Sequence, residues 1–332
     1  MKRMNVGFSI HRPEIIPITE GIMDRHEVIF LEEPPSPGFE KMLDRTLGVE
    51  EYLMPLDMEY PEFSRTMCHL EIKLHAKGKR LIQVEPFVEA LLSIHDFLAL
   101  GNRPEDLEKR SVQYFVYITE RNATAALLNF YKTSMTGSFE NTVKAIRQFA
   151  QADAARFRLR DSLRAQEIIR QSGKYNHIFV EAGMIHYQLW QLLWRQLSGS
   201  FKVQPVFLDR FALKGLNSHH HSYSPGDLLT LAHIFHPCLS LEKWESLMAA
   251  RSIIYSKIIQ KQEFHGDPTN FFHLTDETNC IRISRGLSMD DCRRLYPLIR
   301  SADTSKARRV VEQELMARQP AGSKAPIFPQ KA

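Results

Sequence analysis

Six side chains stand out for what they could do and where they fall: His11, Glu32, Glu33, Glu85, Arg160 and His186. A histidine titrates near neutrality and can take a proton from water. A neighbouring carboxylate can orient it, and an arginine can hold an anion or a developing oxyanion. Together they make a hydrolase-like inventory. Each residue also has a plainer reading. His11 can be a turn residue, Glu32 and Glu33 precede two prolines in a solvated loop, and Glu85 can simply charge a helix N-terminus. Arg160 lies in the charge-rich run 156–164, the pattern of a solvated helix face. His186 is harder to reduce to a structural part, because the turn Gly183-Met-Ile-His186 follows an apolar strand directly.

The elements that must position these residues can be read from hydrophobic periodicity. Residues 4–10, 27–31, 80–84, 177–182 and 203–208 read as strands, and residues 32–38 as a loop. Ile18, Ile22 and Met23 recur at helical spacing between the first two strands, the pattern of a parallel βαβ unit. A helix follows Glu85-Pro86 and ends at Gly101. Pro104 opens a long helix closed by Gly137, and Ser138 caps a further helical region that reaches Gly173 with a break near Asp153. Residues 187–197, 228–235 and 241–259 are also helical, whereas 40–78 are weakly patterned.

Parallel sheets bind ligands outside the carboxyl ends of their strands. His11, the Glu32–Glu33 pair, Glu85 and His186 all fall just past such ends. The helix carrying Arg160 runs toward the strand that starts at His177, so the early part of that helix lies beside the strand's carboxyl end. The fold expected is therefore α/β, a central, mostly parallel sheet flanked by helices, with a helix-rich C-terminal region. The organisation expected is an α/β catalytic-like domain at 1–210, a helical extension or lid at 211–301, and a basic, partly disordered tail at 302–332.

The chain has 332 residues, 43% of them hydrophobic and 25% charged, which is the composition of a globular protein able to bury a core without disulfides. Four cysteines without paired spacing argue against a zinc ribbon or a secreted disulfide scaffold and fit a reducing compartment. The net charge is +4, of which residues after Ala302 supply +3, so a nucleic-acid face is not expected. No apolar run is long enough to span a bilayer, and His11, Arg12, Pro13 and Glu14 interrupt any leader. A cytoplasmic location is expected. There is no phosphate-binding glycine loop, Gly-x-Ser-x-Gly elbow or His-Glu-x-x-His helix. His219-His220-His221 reads as an exposed loop, because a contiguous triplet does not easily turn three side chains onto one ion.

These motifs, in this order, resemble the superfamily that joins erythromycin esterases, TraB/PrgY proteins, ChaN-like proteins and Tiki metalloproteases. Gly7-Phe-Ser-Ile-His11 has the esterases' Gly-x-x-x-His spacing, with Phe8 where the esterases place a glutamate. Val28-Ile-Phe-Leu-Glu32-Glu33 matches their strand ending in glutamate. Arg160-Asp161-Ser-Leu-Arg-Ala165 is similar to their Arg-Asp helix, and Gly183-Met-Ile-His186 has the turn of the TraB-like and Tiki-like members. The resemblance implies lactone hydrolysis by a histidine base in one branch, divalent-metal proteolysis in another, and haem binding or pheromone control in the others.

The function expected is hydrolysis of an ester or peptide bond in a small-molecule or peptide substrate. His11 is the candidate general base or metal ligand, with Glu32 or Glu33 orienting it or sharing the ion. His186 is the second base or ligand, and Arg160 the anion holder. His11, His186 and Glu32 would take a manganese-like divalent metal. The alternative is a non-enzymatic protein that holds haem or a peptide in the same pocket. Adjacent residues of an extended strand face opposite ways, so Glu32 and Glu33 cannot both serve.

Overall fold

The computed structural model describes residues 2–56, 58–215, 223–238, 241–263 and 271–317. The histidine triplet at 219–221 and the end of the basic tail lie outside them. Strand β1 (Lys2–Ser9) leads through a 3-10 turn at Pro13–Ile15 into α1 (Ile16–Met23) and β2 (Val28–Leu31). Helices α2 (Phe39–Leu43), α3 (Val49–Leu53) and α4 (Pro61–Ala76) precede β3 (Arg80–Gln83) and α5 (Pro86–Ala99). Two long helices follow, α6 (Val112–Thr136) and α7 (Phe139–Ser172), and then β4 (His177–Gly183), α8 (Tyr187–Leu197) and β5 (Phe201–Phe207). The remaining elements are helical: α9 (Asp209–Gly215), α10 (Pro225–Phe235), α11 (Glu242–Ile258), α12 (Phe272–Gly286), α13 (Met289–Ile299) and α14 (Thr304–Met316).

The five strands form one sheet in the order β3-β2-β4-β1-β5, and every neighbouring pair is parallel. The α/β expectation is met. Val28, Ile29, Phe30 and Leu31 are all buried, as a strand covered on both faces requires. Met4, Val6, Phe8, Ile178 and Val180 join Val28 and Phe30 in a core closed by Leu189 and Leu193 of α8. Parallel pairing puts Ser9 opposite Gly183 and Leu31 opposite Gln83. The four carboxyl ends thus lie along one edge.

The chain divides into two compact units. Among the described residues, one comprises those of 2–119 and 156–215, and holds the sheet; the other comprises those of 120–155, 223–263 and 271–317, and is helical. The helical unit therefore includes a stretch from the middle of the chain, α6 from Glu120 onward and the first half of α7. Its core is built from Val143, Ile146, Leu229, Ile253, Ile254 and Leu295.

Several local features differ from the sequence reading. Pro104 opens only a 3-10 turn, and α6 starts at Val112. The intervening Leu107 is extended and Arg110 has φ 76°, so the helix cannot pass through; Ser111 Oγ then accepts the Tyr114 N–H and caps the restart. Asp153 does not break α7, which runs 34 residues through a segment rich in alanine, the strongest helix former. Residues 40–78 carry three helices whose pattern was obscured because α4 buries Glu71 among Met67, Cys68, Leu70 and Leu74. Residues 304–316 of the basic tail are helical, capped by Asp303 and anchored by buried Ala307 and Val311. Among the described residues no helix is long and apolar enough to cross a membrane.

Gly7 has a packing role. A β-carbon there would stand well inside the van der Waals envelope of the Phe179 ring, on the strand next door. Gly7→Ala should destabilise the protein by about 1–3 kcal/mol through overpacking, seen as a lowered Tm. Phe179→Leu in the same chain should restore part of that loss; strictly additive effects in a double-mutant cycle would contradict the assignment.

Candidate functional site

The edge collects side chains from β2, α7 and the turn after β4 around one carboxylate. Glu32, one residue past β2, has a side chain only 6% exposed. Its Oε2 accepts the Gly183 N–H at 2.5 Å, joining the ends of β2 and β4. Its Oε1 accepts from Arg160 Nη2 at 3.1 Å and pairs with His186 Nε2 at 2.9 Å. Arg164, one turn beyond Arg160 on α7, brings Nη1 to 3.6 Å from Glu32 Oε2. Burial works against ionisation of Glu32, but the positive charges of His186, Arg164 and Arg160 hold it well below the usual carboxylate range.

His186 is clamped from both sides. Its Nδ1 meets Asp161, while Nε2 faces Glu32. Asp161 is itself fixed by the Leu189 N–H at the start of α8, 3.1 Å away. Burial opposes protonation of the imidazole, yet the two carboxylates raise it to about 9. His186 is therefore an imidazolium at neutral pH. With both nitrogens engaged, an imidazolium at this position has no free lone pair for a base or a metal ligand. Among the described residues no group of three histidine, cysteine or acidic side chains is arranged to hold a metal ion. The trio His11, His186 and Glu32 does not fit one.

Glu85 lies beneath this cluster, fully buried, with Oε2 3.0 Å from Arg160 Nε and 4.0 Å from Arg164 Nε. These are Coulombic contacts rather than aligned hydrogen bonds, since neither Glu85 oxygen meets hydrogen-bond geometry. Arg164 Nε donates instead to the Val84 carbonyl at 2.8 Å. Three acidic side chains thus face two guanidiniums and an imidazolium.

His11 differs from its neighbours. It is half-buried, its ring stacks on Phe63 with centroids 5.1 Å apart, and burial lowers its pKa below 6.5 despite the nearby Glu32. It is neutral at pH 7. A β-carbon at Gly183 would stand 3.6 Å from His11 Cε1, 3.6 Å from His186 Cδ2 and 3.7 Å from Glu32 Oε2. The bare backbone of Gly183 leaves that point open.

Glu33 does not join this cluster. Its Oε2 accepts from Gln83 Nε2 at 3.0 Å, and burial raises its pKa. It neighbours two further buried acids. Glu181 accepts the Glu32 N–H and is raised to about 8 by burial and then by Glu33. Glu71 is raised well above the normal range by burial, Glu33 and Glu181. The pair left open in the sequence is resolved: Glu32 belongs to the ionised cluster and Glu33 to a neighbouring group of acids with raised pKa.

Sequence reasoning overlooked Arg164, Glu181 and Glu71. Arg164 was within reach, being four residues after Arg160 and so on the same helical face. Glu181 carried a signal as well, an acid inside an apolar strand. Glu71 had none, since one acid on an amphipathic helix reads as surface.

Removing Arg164 leaves Glu85 with less compensation in the interior. Arg164→Met should cost about 3–5 kcal/mol, against less for the partly exposed Arg160→Met, measured by urea unfolding. The raised groups also set a pH dependence. His186 contributes stability that is complete below 6.5 and lost as pH rises through about 9; Glu181, protonated when folded, loses its advantage as pH rises from 4.5 through about 8. Below 6.5 the lowered His11 works in the opposite direction. Between pH 6.5 and 9 the Tm should therefore fall, by roughly 5 °C or more. A flat or rising Tm across that window would contradict the assignment.

Comparison with known proteins adds one relative. No protein-family model and no solved structure matches the chain. It is similar to an uncharacterized protein of Archaeoglobus fulgidus, 25% identical over 294 residues that cover 88% of this chain and 97% of the relative.

Proposed function

We propose that the protein is a hydrolase of carboxylic esters, with His11 as its general base. One observation carries the reading: a neutral, half-buried histidine stands at the carboxyl edge of a parallel sheet, beside a fixed cluster whose cations are Arg160, Arg164 and His186. Hydrolysis needs a group that accepts a proton at neutral pH and a separate group that holds developing negative charge. His11 supplies the first. Arg160, the one guanidinium of the cluster with an exposed side (24% of the side chain), supplies the second.

In this mechanism His11 takes a proton from water as the hydroxide oxygen bonds to the carbonyl carbon. The carbonyl oxygen becomes an oxyanion beside Arg160. Collapse re-forms the carbonyl and breaks the bond to the alcohol oxygen, which takes its proton from the His11 imidazolium. Water and ester give acid and alcohol, and the enzyme is restored. Glu32 and His186 do not exchange protons in this scheme. They hold Arg160 in place without reorganising, because their own partners are buried and fixed. The motif resemblance to esterases supports the same reading, and Phe8 in place of their glutamate is accommodated because Glu32 supplies the carboxylate next to the base.

The test is a screen of activated esters with the untagged protein, followed by a pH profile. Activity should rise with an apparent pKa below 6.5 as His11 loses its proton, hold a plateau, and decline toward pH 9 as His186 loses its charge. His11→Ala should lower kcat by about 10²–10⁴-fold with little change in Tm. Full activity in that variant would end the proposal. Ligand binding without turnover in the wild type would leave a non-catalytic pocket instead.

A further inference from the structure

Arg12, directly after His11, stands outside the mechanism described above, and its surroundings are unusual for an arginine. Its guanidinium lies over the Tyr60 ring, with Cζ 4.2 Å from the centroid. Nη1 is buried and makes no hydrogen bond, and among the described residues no carboxylate lies within ion-pair distance of Arg12. A buried N–H without an acceptor is costly, and an anion placed against Nη1 would satisfy it.

The position of that site follows from α4. Tyr60 caps the helix and Phe63 lies three residues on, so the two rings share one face. His11 stacks on Phe63 and Arg12 on Tyr60. The backbone between them is closed on both sides: the Arg12 N–H donates to the Ile10 carbonyl at 2.9 Å, and the Arg12 carbonyl accepts the Ile15 N–H at 3.1 Å. The proposed base and the unpaired guanidinium are thus held side by side on one aromatic wall, one helical turn apart.

We infer that Arg12 is a specificity-determining residue that binds a carboxylate on the substrate, so that the site takes acidic esters such as half-esters of dicarboxylic acids. The inference rests on the hydrolytic reading of the His11 edge and adds the chemical class of its substrate. A planar fork stacked on an aromatic ring is already oriented, and a carboxylate matches that fork better than a neutral group does.

Binding can be tested apart from turnover. Thermal shift with glutarate, beside its neutral analogue glutaramide, should show stabilisation by glutarate alone in the wild type and in His11→Ala. Arg12→Gln should abolish that shift, and Arg12→Lys should keep part of it, a rescue that a purely structural role would not produce. For turnover, the preference for 4-nitrophenyl hydrogen glutarate over 4-nitrophenyl butyrate should fall about 10–100-fold in Arg12→Gln, the range of one charge-assisted hydrogen bond. The inference is overturned if glutarate leaves the wild type unshifted, or if Arg12→Gln binds it as tightly as the wild type. An inactive wild type that still binds glutarate through Arg12 would sink the hydrolytic reading and leave the anion site standing.

Discussion

The carboxylate of Glu32 is the point on which this edge of the sheet depends. It binds the backbone of β4 through Gly183, the long helix α7 through Arg160 and Arg164, and the turn into α8 through His186. A carboxylate buried without partners would take up a proton; here three cations keep it charged, and it in turn keeps His186 charged. The cluster ties strand ends that the sheet's own hydrogen bonds do not reach.

That constraint separates the roles of two histidines that look alike in sequence. His186 lies between Asp161 and Glu32 and becomes a fixed positive charge. His11 lies on Phe63, where burial outweighs the field of Glu32, and stays neutral. The same division runs through the acids. Glu32 is ionised because His186, Arg164 and Arg160 surround it, while Glu33, Glu71 and Glu181 are raised first by burial and then by the charge of neighbouring acids. An ionised cluster thus lies beside acids whose pKa values are raised.

Much of the edge was legible from pattern alone. Apolar runs marked all five strands, and the rule that parallel sheets work at their carboxyl ends selected His11, the Glu32–Glu33 pair, Glu85 and His186 together. The direction of α7 placed Arg160 among them before any contact was known. What pattern could not reveal was partnership. Glu71 looks like an exposed acid on α4 because helical periodicity cannot tell a buried acid from a solvated one. Arg160 and Arg164 look like a solvated face because the run 156–164 holds four arginines and an aspartate, and local pattern does not tell a buried charge from a solvated one.

By itself, the sequence determined the class of the fold, the edge at which its polar residues meet and the types of group that meet there, since these follow from strand and helix periods and from chain direction. Tertiary structure alone decided which glutamate faces the arginines, which histidine holds a proton, and that Arg12 lies beside His11 on the wall of α4. Those outcomes depend on desolvation and on charges brought together from residues as distant in sequence as Glu32 and His186. Local sequence carries the identity of such groups, whereas their charge state is a property of the surroundings that folding creates.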